Sequence, residues 1–144
     1  MILPDLLLDK FKNVLLIDDD DIVNSINKVM IDHAKFAEKV TAKTSVDAAM
    51  EYLFSVDSES FPDVIFLDLD MPVKNGWDFL EEFKNLEGRN RAKLVVLTSS
   101  ISTKDETRAK EFDEIVAYVP KPLSPELIHQ IHVKHIGSPF LFGK

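Results

Sequence analysis

Three short apolar runs, each followed by a charged residue, constrain this chain most strongly. The runs and the charged residues that follow them are 14–17 with Asp18 and Asp19, 64–67 with Asp68, and 115–119 with Lys121. Each run is too short for a helix and rich in β-branched or aromatic side chains, which is typical of strands buried in a parallel sheet. Because ligands bind at the carboxyl edge of such a sheet, the sequence predicts a site of carboxylates and an ammonium there.

The rest of the chain alternates predicted strands and helices. A fourth apolar run, residues 94–97, ends at Thr98 and brings a hydroxyl to the same edge, and residues 38–42 form a weaker strand. Apolar periodicity and capping patterns predict five helices, over residues 22–33, 44–53, 77–86, 103–112 and from Ser124 onward. Five strands alternating with five helices predict an α/β fold, with a parallel sheet covered by helices on both faces.

Side chains that cap helices mark the starts of several of these helices. The predicted caps are Asp20 or Asp21 for the first helix, Thr44 for the second, Thr103 for the fourth and Ser124 for the last. Pro125 follows Ser124, and proline is favoured at the first position of a helix. We predict that the four histidines lie on helix surfaces; they are His33, His129, His132 and His135. The spacing of His129 and His132 is only a weak indication of metal binding.

Composition limits the class of protein. A length of 144 residues with 45% hydrophobic content fits one domain with a single core and does not imply a membrane span. The chain has no cysteine, which excludes disulfides and thiolate metal sites and is consistent with a cytoplasmic location. A net charge of −8 argues against binding to nucleic acid. Residues 1–10 lack the basic start of a signal peptide and are interrupted by acids.

The pattern as a whole resembles the receiver domain of two-component response regulators. The matching residues are Asp18-Asp19 after the first strand, Asp68 with Met71-Pro72 and Gly76 after the third, Thr98-Ser99 after the fourth, and Tyr118-Val119-Pro120-Lys121-Pro122 around the end of the fifth. The resemblance covers residues 13–136, with an N-terminal extension over 1–12 and a C-terminal tail over 137–144. It implies a flavodoxin-like (βα)5 fold with a doubly wound parallel sheet in the strand order 2-1-3-4-5.

The clustered acids suit magnesium-dependent phosphoryl transfer. Crowded carboxylates repel each other and raise each other's pKa unless a cation lies between them, and oxygen ligands suit Mg²⁺. The resemblance implies that Asp68 accepts the phosphoryl group and helps to bind Mg²⁺. It further implies that Asp18, Asp19 and the backbone carbonyl of Asp70 are the other Mg²⁺ ligands.

Three further residues take roles that the resemblance implies. Lys121 and Thr98 would contact phosphoryl oxygens, one as a compact positive charge and the other through its hydroxyl. Thr98 and Tyr118 occupy the two positions that change conformation on phosphorylation in similar domains. Pro122 after Lys121 resembles the family's cis peptide.

The implied function is a single-domain response regulator, and no output domain is expected after the last helix. A sensor histidine kinase or a phosphotransfer protein would supply the phosphoryl group, and the receiver would then switch a surface that binds an unknown downstream protein. Such a chain is a signalling domain rather than an enzyme, although it catalyses its own phosphorylation and dephosphorylation. We expect a cytoplasmic monomer or a phosphorylation-dependent dimer, with no membrane insertion.

Other interpretations of the same residues stay open. Residues 66–70 also resemble the Asp-x-Asp start of haloacid-dehalogenase-type phosphatases, which use an aspartate nucleophile, Mg²⁺ and a lysine. A degenerate receiver that only binds other proteins is a further possibility. The acids at 18–21 could simply cap a helix or form a solvated face. Asp70 adds a fourth carboxylate near the pocket, and together with the small Ser100 it leaves the lifetime of the acyl phosphate open.

Overall fold

A computed structural model describes residues 10–88, 91–99 and 102–136, with only the backbone of 135 and 136. Its single sheet has five parallel strands in the order β2-β1-β3-β4-β5. The strands are β1 (Phe11–Ile17), β2 (Ala37–Lys43), β3 (Val64–Asp68), β4 (Lys93–Thr98) and β5 (Ile115–Pro120). The predicted flavodoxin-like fold and its strand order are confirmed.

Helices cover both faces of the sheet. They are α1 (Asp21–His33), α2 (Val46–Ser55), α3 (Gly76–Phe83), α4 (Thr103–Ala109) and α5 (Pro125–Ile131), and a π-helical turn (His132–Ile136) extends α5. Buried side chains of α2, α3 and α4 form one core with one face of the sheet. Those of α1 and α5 form a second core with the other face. The strand residues 64–68 are therefore buried on both sides, as their continuous apolar run predicts.

Two helix caps lie one residue away from their predicted positions. Ser45, not Thr44, caps α2, because β2 pairs with β1 as far as Lys43 and leaves Thr44 in the connecting turn. Ser102, not Thr103, caps α4, and its hydroxyl accepts a hydrogen bond from the Asp105 N–H at 3.1 Å. Asp20 and Ser124 cap α1 and α5 as predicted.

The third and fourth helices end earlier than predicted. Helix α3 ends at Phe83 rather than at residue 86, and the turn that follows contains Gly88 with a φ of 88°, which favours glycine. Helix α4 ends at Ala109 rather than at residue 112. Phe112 instead closes the turn into β5 with its ring buried, and the Ile115 N–H donates to its carbonyl.

His132 is buried, and its predicted surface position is wrong. Its ring centroid lies 5.0 Å from that of Phe11 and 5.1 Å from that of Phe36. The start of β1 places Phe11 against the end of α5, so the imidazole is enclosed by aromatic rings. His33 is exposed as predicted, and His129 is half-buried.

The apolar residues whose spacing predicts α1 are not its buried face. Ile22, Ile26 and Val29 are 71%, 47% and 59% exposed, whereas Asn24 and Asn27 are each only 4% exposed. The Asn24 side-chain amide donates to the Asp18 carbonyl at 2.9 Å. Hydrogen bonding therefore sets the orientation of α1 at the end nearest the sheet edge, and an apolar strip is left on its outer side.

Among the described residues, no helix has the length and apolarity needed to cross a membrane.

Asp63 joins the amino-terminal ends of three strands. Its carboxylate accepts hydrogen bonds from the N–H groups of Lys12 and Asn13, both at 3.1 Å. Its N–H donates to the Asn13 carbonyl, and its carbonyl accepts from the Lys93 N–H. The side chain thus ties β1 to the residue that precedes β3, and the backbone links that residue to β4.

We predict that Asp63→Ala lowers the free energy of unfolding by about 2 kcal/mol, because two backbone donors lose a charged acceptor. Urea denaturation followed by circular dichroism measures this change. Asp113→Ala is the matched control, since Asp113 is an exposed aspartate outside the helices and strands. Equal midpoints for the two variants would show that the Asp63 hydrogen bonds contribute nothing to stability.

Candidate functional site

The ends of four strands bring the predicted site residues to one edge of the sheet. Ile17 of β1 pairs with Leu67 of β3, so Asp18 and Asp68 leave adjacent strands at the same level. Thr98 ends β4, and the Lys121 N–H donates to the Thr98 carbonyl at 2.8 Å. Strand register alone therefore gathers residues that lie up to 103 positions apart in the chain.

Three carboxylates converge at this edge. One oxygen from each of Asp18, Asp19 and Asp68 lies within 4.8 Å of the others. Asp18 and Asp68 are 4% and 2% exposed, whereas Asp19 faces solvent. An all-oxygen cluster that is open on one side fits Mg²⁺, which keeps several water ligands in proteins.

The Lys121 ammonium lies between the two buried carboxylates. Its Nζ is 2.9 Å from Asp18 Oδ2 and 3.1 Å from Asp68 Oδ1. The Lys121–Pro122 peptide bond is cis. The lysine supplies one positive charge to a cluster of three acids, so the site keeps a net negative charge that favours a cation.

Backbone groups hold Asp18 in place. The Asp20 N–H donates to Asp18 Oδ1 at 3.0 Å, and the Asp18 N–H donates to the Lys43 carbonyl at 3.2 Å. The amide of Asn24 donates to its carbonyl. Both carboxylate oxygens of Asp18 therefore have a partner, and its backbone is fixed on either side.

Two donors hold one carboxylate oxygen of Asp68. Its Oδ1 accepts from the Asp70 N–H at 3.2 Å and from Lys121. No residue that the structure describes hydrogen-bonds to its Oδ2. Donors thus orient one oxygen of the carboxylate, and the other oxygen has no donor among the described residues.

Burial and charge shift the pKa of both central groups. Burial, followed by the charge of Asp18, raises the pKa of Asp68, although the Asp70 N–H and Lys121 oppose the shift. Burial acts to lower the pKa of Lys121, but hydrogen bonds and charge interactions with Asp18 and Asp68 together raise it above its ordinary value. The lysine is therefore charged at neutral pH.

Thr98 and Tyr118, the predicted switch pair, lie under the start of α4. Thr98 is 3% exposed and Tyr118 is half-buried. Burial raises the pKa of the Tyr118 hydroxyl, with a further rise from the carboxylates of Asp105 and Glu106. The Ser102 backbone and the Thr98 hydroxyl lower this pKa. The tyrosine hydroxyl oxygen itself is buried.

Gly76 lets the loop after β3 approach the end of that strand. A Cβ at this position would lie 2.7 Å from the Asp68 carbonyl oxygen and 2.8 Å from the Leu69 Cα. The Gly76 N–H also donates to the Leu69 carbonyl. Asp70 in this loop is exposed, and its carboxylate is not among the clustered acids.

Sequence reasoning missed Asn24 and Lys74. The Lys74 ammonium bridges Asp47 of α2 and Glu82 of α3, at 2.7 and 3.0 Å, and so ties the loop after β3 to both helices. In the sequence, Asn24 is one polar residue of a predicted helix and Lys74 is one lysine of a loop. Neither pattern indicates a specific partner until the fold is known.

Comparison with known proteins agrees with this geometry. The sequence profile described as the response regulator receiver domain matches residues 14–132. The chain belongs to this family. A solved two-component response regulator from Cytophaga hutchinsonii is 33% identical, has a TM-score of 0.77, and is matched over 87% of this chain and 96% of its own. Other receivers show the same likeness at lower identity.

Two further relatives extend the comparison. The phosphorylated cyanobacterial phytochrome response regulator RcpA is 27% identical, with a TM-score of 0.64 over 84% of this receiver and 88% of its own chain. The transcriptional regulatory protein MalR of Bacillus subtilis is 31% identical over 79% of this chain and 46% of its own length. The chain thus spans less than half of that curated relative.

We predict that Asp68→Asn stabilises the metal-free receiver by about 1 kcal/mol. The folded chain raises the pKa of Asp68, so it binds this proton more tightly than the unfolded chain does, and the charged form costs stability at neutral pH. Urea unfolding at pH 7 in a chelating buffer measures the difference. The gap between wild type and variant should narrow as the pH falls through the raised pKa.

Asp113→Asn provides the control for that measurement, because it removes one exposed acid elsewhere. An Asp68→Asn variant that is less stable than wild type would contradict the prediction. It would mean that the ion pair with Lys121 stabilises the folded chain by more than the burial of the Asp68 charge and its repulsion by Asp18 destabilise it.

Proposed function

We propose that this receiver accepts a phosphoryl group on Asp68 in a Mg²⁺-dependent reaction, with a sensor histidine kinase or a phosphotransfer protein as donor. It catalyses its own phosphorylation and dephosphorylation, and phosphorylation switches the surface that binds its downstream protein. The observation that carries the proposal is the arrangement of Asp68 beside two further carboxylates, with Oδ1 held by two donors and Oδ2 without a donor among the described residues.

The reaction forms a bond between Asp68 Oδ2 and phosphorus as the bond from phosphorus to the donor's imidazole nitrogen breaks. Lys121 offsets negative charge on the transferred group. The Thr98 hydroxyl donates to a phosphoryl oxygen. Asp18, Asp19, Asp68 and the Asp70 carbonyl would hold Mg²⁺, which would supply further positive charge when bound. The imidazole leaves with the electron pair and takes a proton.

Features of the surface next to the site support a protein as the phosphoryl donor. The exposed apolar strip of Ile22, Ile26 and Val29 starts directly after the acidic run. Beside it lies a groove of about 210 Å³, lined by Val23, Ile26, Asn27, Ser99, Lys121 and Pro122. Since Lys121 borders both the groove and the carboxylate cluster, a protein docked on this surface can present a side chain to Asp68.

Two relatives bear on the rest of the proposal. RcpA, which is 27% identical, is described as phosphorylated, and that description agrees with a phosphoacceptor role here. The Cytophaga response regulator is matched over 96% of its own chain, and the single-domain organisation stays a prediction. The receiver boundaries at 13 and 136 stay predictions, although β1 starts at Phe11. The predicted tail over 137–144 and residues 1–9 lie outside the described residues, and the cytoplasmic location also stays a prediction.

The phosphatase alternative has no specific observation in its favour. Its Asp-x-Asp motif needs a second functional carboxylate at Asp70, but this side chain is exposed and lies outside the cluster. Asp18 and Asp19, for which that mechanism has no role, are members of the cluster.

We predict that acetyl phosphate with Mg²⁺ adds a single phosphoryl group to the wild-type chain, and that Asp68→Asn receives none. Intact mass spectrometry detects the adduct, with a chelating buffer as the metal control and Asp113→Asn as the protein control. An adduct on Asp68→Asn would place the nucleophile elsewhere. Absence of any adduct would leave a module that only binds proteins, and sustained phosphate release would favour the phosphatase.

We predict that Lys121→Met slows this labelling by about a hundredfold, because an ammonium that stabilises the transferring group is lost. The same change should tighten Mg²⁺ binding, since Lys121 and the metal ion compete for Asp18 and Asp68. Isothermal titration measures Mg²⁺ affinity separately from labelling. Labelling at the wild-type rate would remove Lys121 from the mechanism.

A further inference from the structure

Helix α4 is attached to the domain by few side chains. It has seven residues, and Ala109 is its one buried residue. Such a short helix with little apolar burial belongs to the part of a structure that opens most easily. Contacts from its other side chains therefore have a large influence on its position.

One such contact joins α4 to α3. The Arg108 guanidinium carbon lies 4.4 Å from the ring centroid of Trp77, within the range of a cation–π interaction. The Trp77 ring lies 6.1 Å from the ring of Phe112, which follows α4. The Lys84 ammonium lies 4.7 Å from the Phe112 centroid. Two cations, one on α4 and one directly after α3, thus cover the rings of Trp77 and Phe112.

The aromatic pair connects α4 with the part of the chain that lies next to Asp68. Trp77 directly follows Gly76, which is pressed against the Asp68 carbonyl and leaves this part of the chain no room to move toward the strand. On its other side α4 covers Tyr118, whose hydroxyl lies near Ser102 at the helix start. A change in the position of α4 therefore alters both the Arg108–Trp77 contact and the cover over Tyr118.

We propose that the Arg108–Trp77 contact is a latch that holds α4 against α3 and keeps the Tyr118 hydroxyl covered. The latch opens when α4 moves. A cation–π contact at an exposed site shifts a local equilibrium by about two- to fivefold, which is small enough for reversible opening. Trp77 is the one tryptophan of the chain, so its fluorescence reports the state of the latch.

The first test uses the metal-free, unphosphorylated protein. Arg108→Gln should raise the exchange rate of the α4 backbone amides about threefold in hydrogen-exchange mass spectrometry and change the Trp77 emission. Lys110→Gln removes the same charge from an exposed position at the end of α4 and should change neither. Arg108→Lys keeps a cation and should restore much of the protection. Equal α4 exchange in the two glutamine variants would overturn the proposal.

The second test rests on the proposed function. Phosphorylation of wild type by acetyl phosphate and Mg²⁺ should change Trp77 emission in step with the adduct mass. Arg108→Gln should form the adduct with a much smaller change, because its latch is already open. An adduct without any emission change in wild type would overturn the link between the latch and the site. If no adduct forms, the proposed function fails, while the hydrogen-exchange result still decides whether the latch exists.

Discussion

The ion pairs of Lys121 with Asp18 and Asp68 are the interaction on which this site depends. Burying two carboxylates side by side is unfavourable, and the ammonium between them offsets much of that cost. The three groups come from the ends of β1, β3 and β5, so they meet only when the sheet has assembled in full. The charge balance of the site is therefore a property of the whole fold rather than of one motif.

Much of this arrangement could be predicted from the sequence because strand periodicity and the order of elements are local signals. An apolar run that ends in Asp68 identifies both a buried strand and the residue at its carboxyl end. The parallel topology then places such ends together, which is why Asp18, Asp68, Thr98 and Lys121 were all predicted at one edge. The cluster of Asp18, Asp19 and Asp68 lies where the resemblance implied a metal site.

What the sequence could not predict depends on contacts between distant elements. The burial of His132 follows from the Phe11 and Phe36 rings, which lie far away in the chain. The cap of α2 lies one residue after its predicted position, because β2 pairs with β1 as far as Lys43. The partners of Arg108 and Lys74 likewise exist only once the helices pack side by side.

The two sides of helix α1 have different surroundings, since one side packs on the domain and the other faces solvent. Its inner asparagines are buried, and the Asn24 side chain donates a hydrogen bond to the carbonyl of Asp18 at the end of β1. Its outer residues Ile22, Ile26 and Val29 contribute little to the core and are free to change without disturbing the sheet. Under the proposed function, substitutions of these outer residues would change which protein recognises this surface and leave the position of Asp18 unchanged. Partner recognition and support of the site would then be divided between the outer and inner sides of one helix.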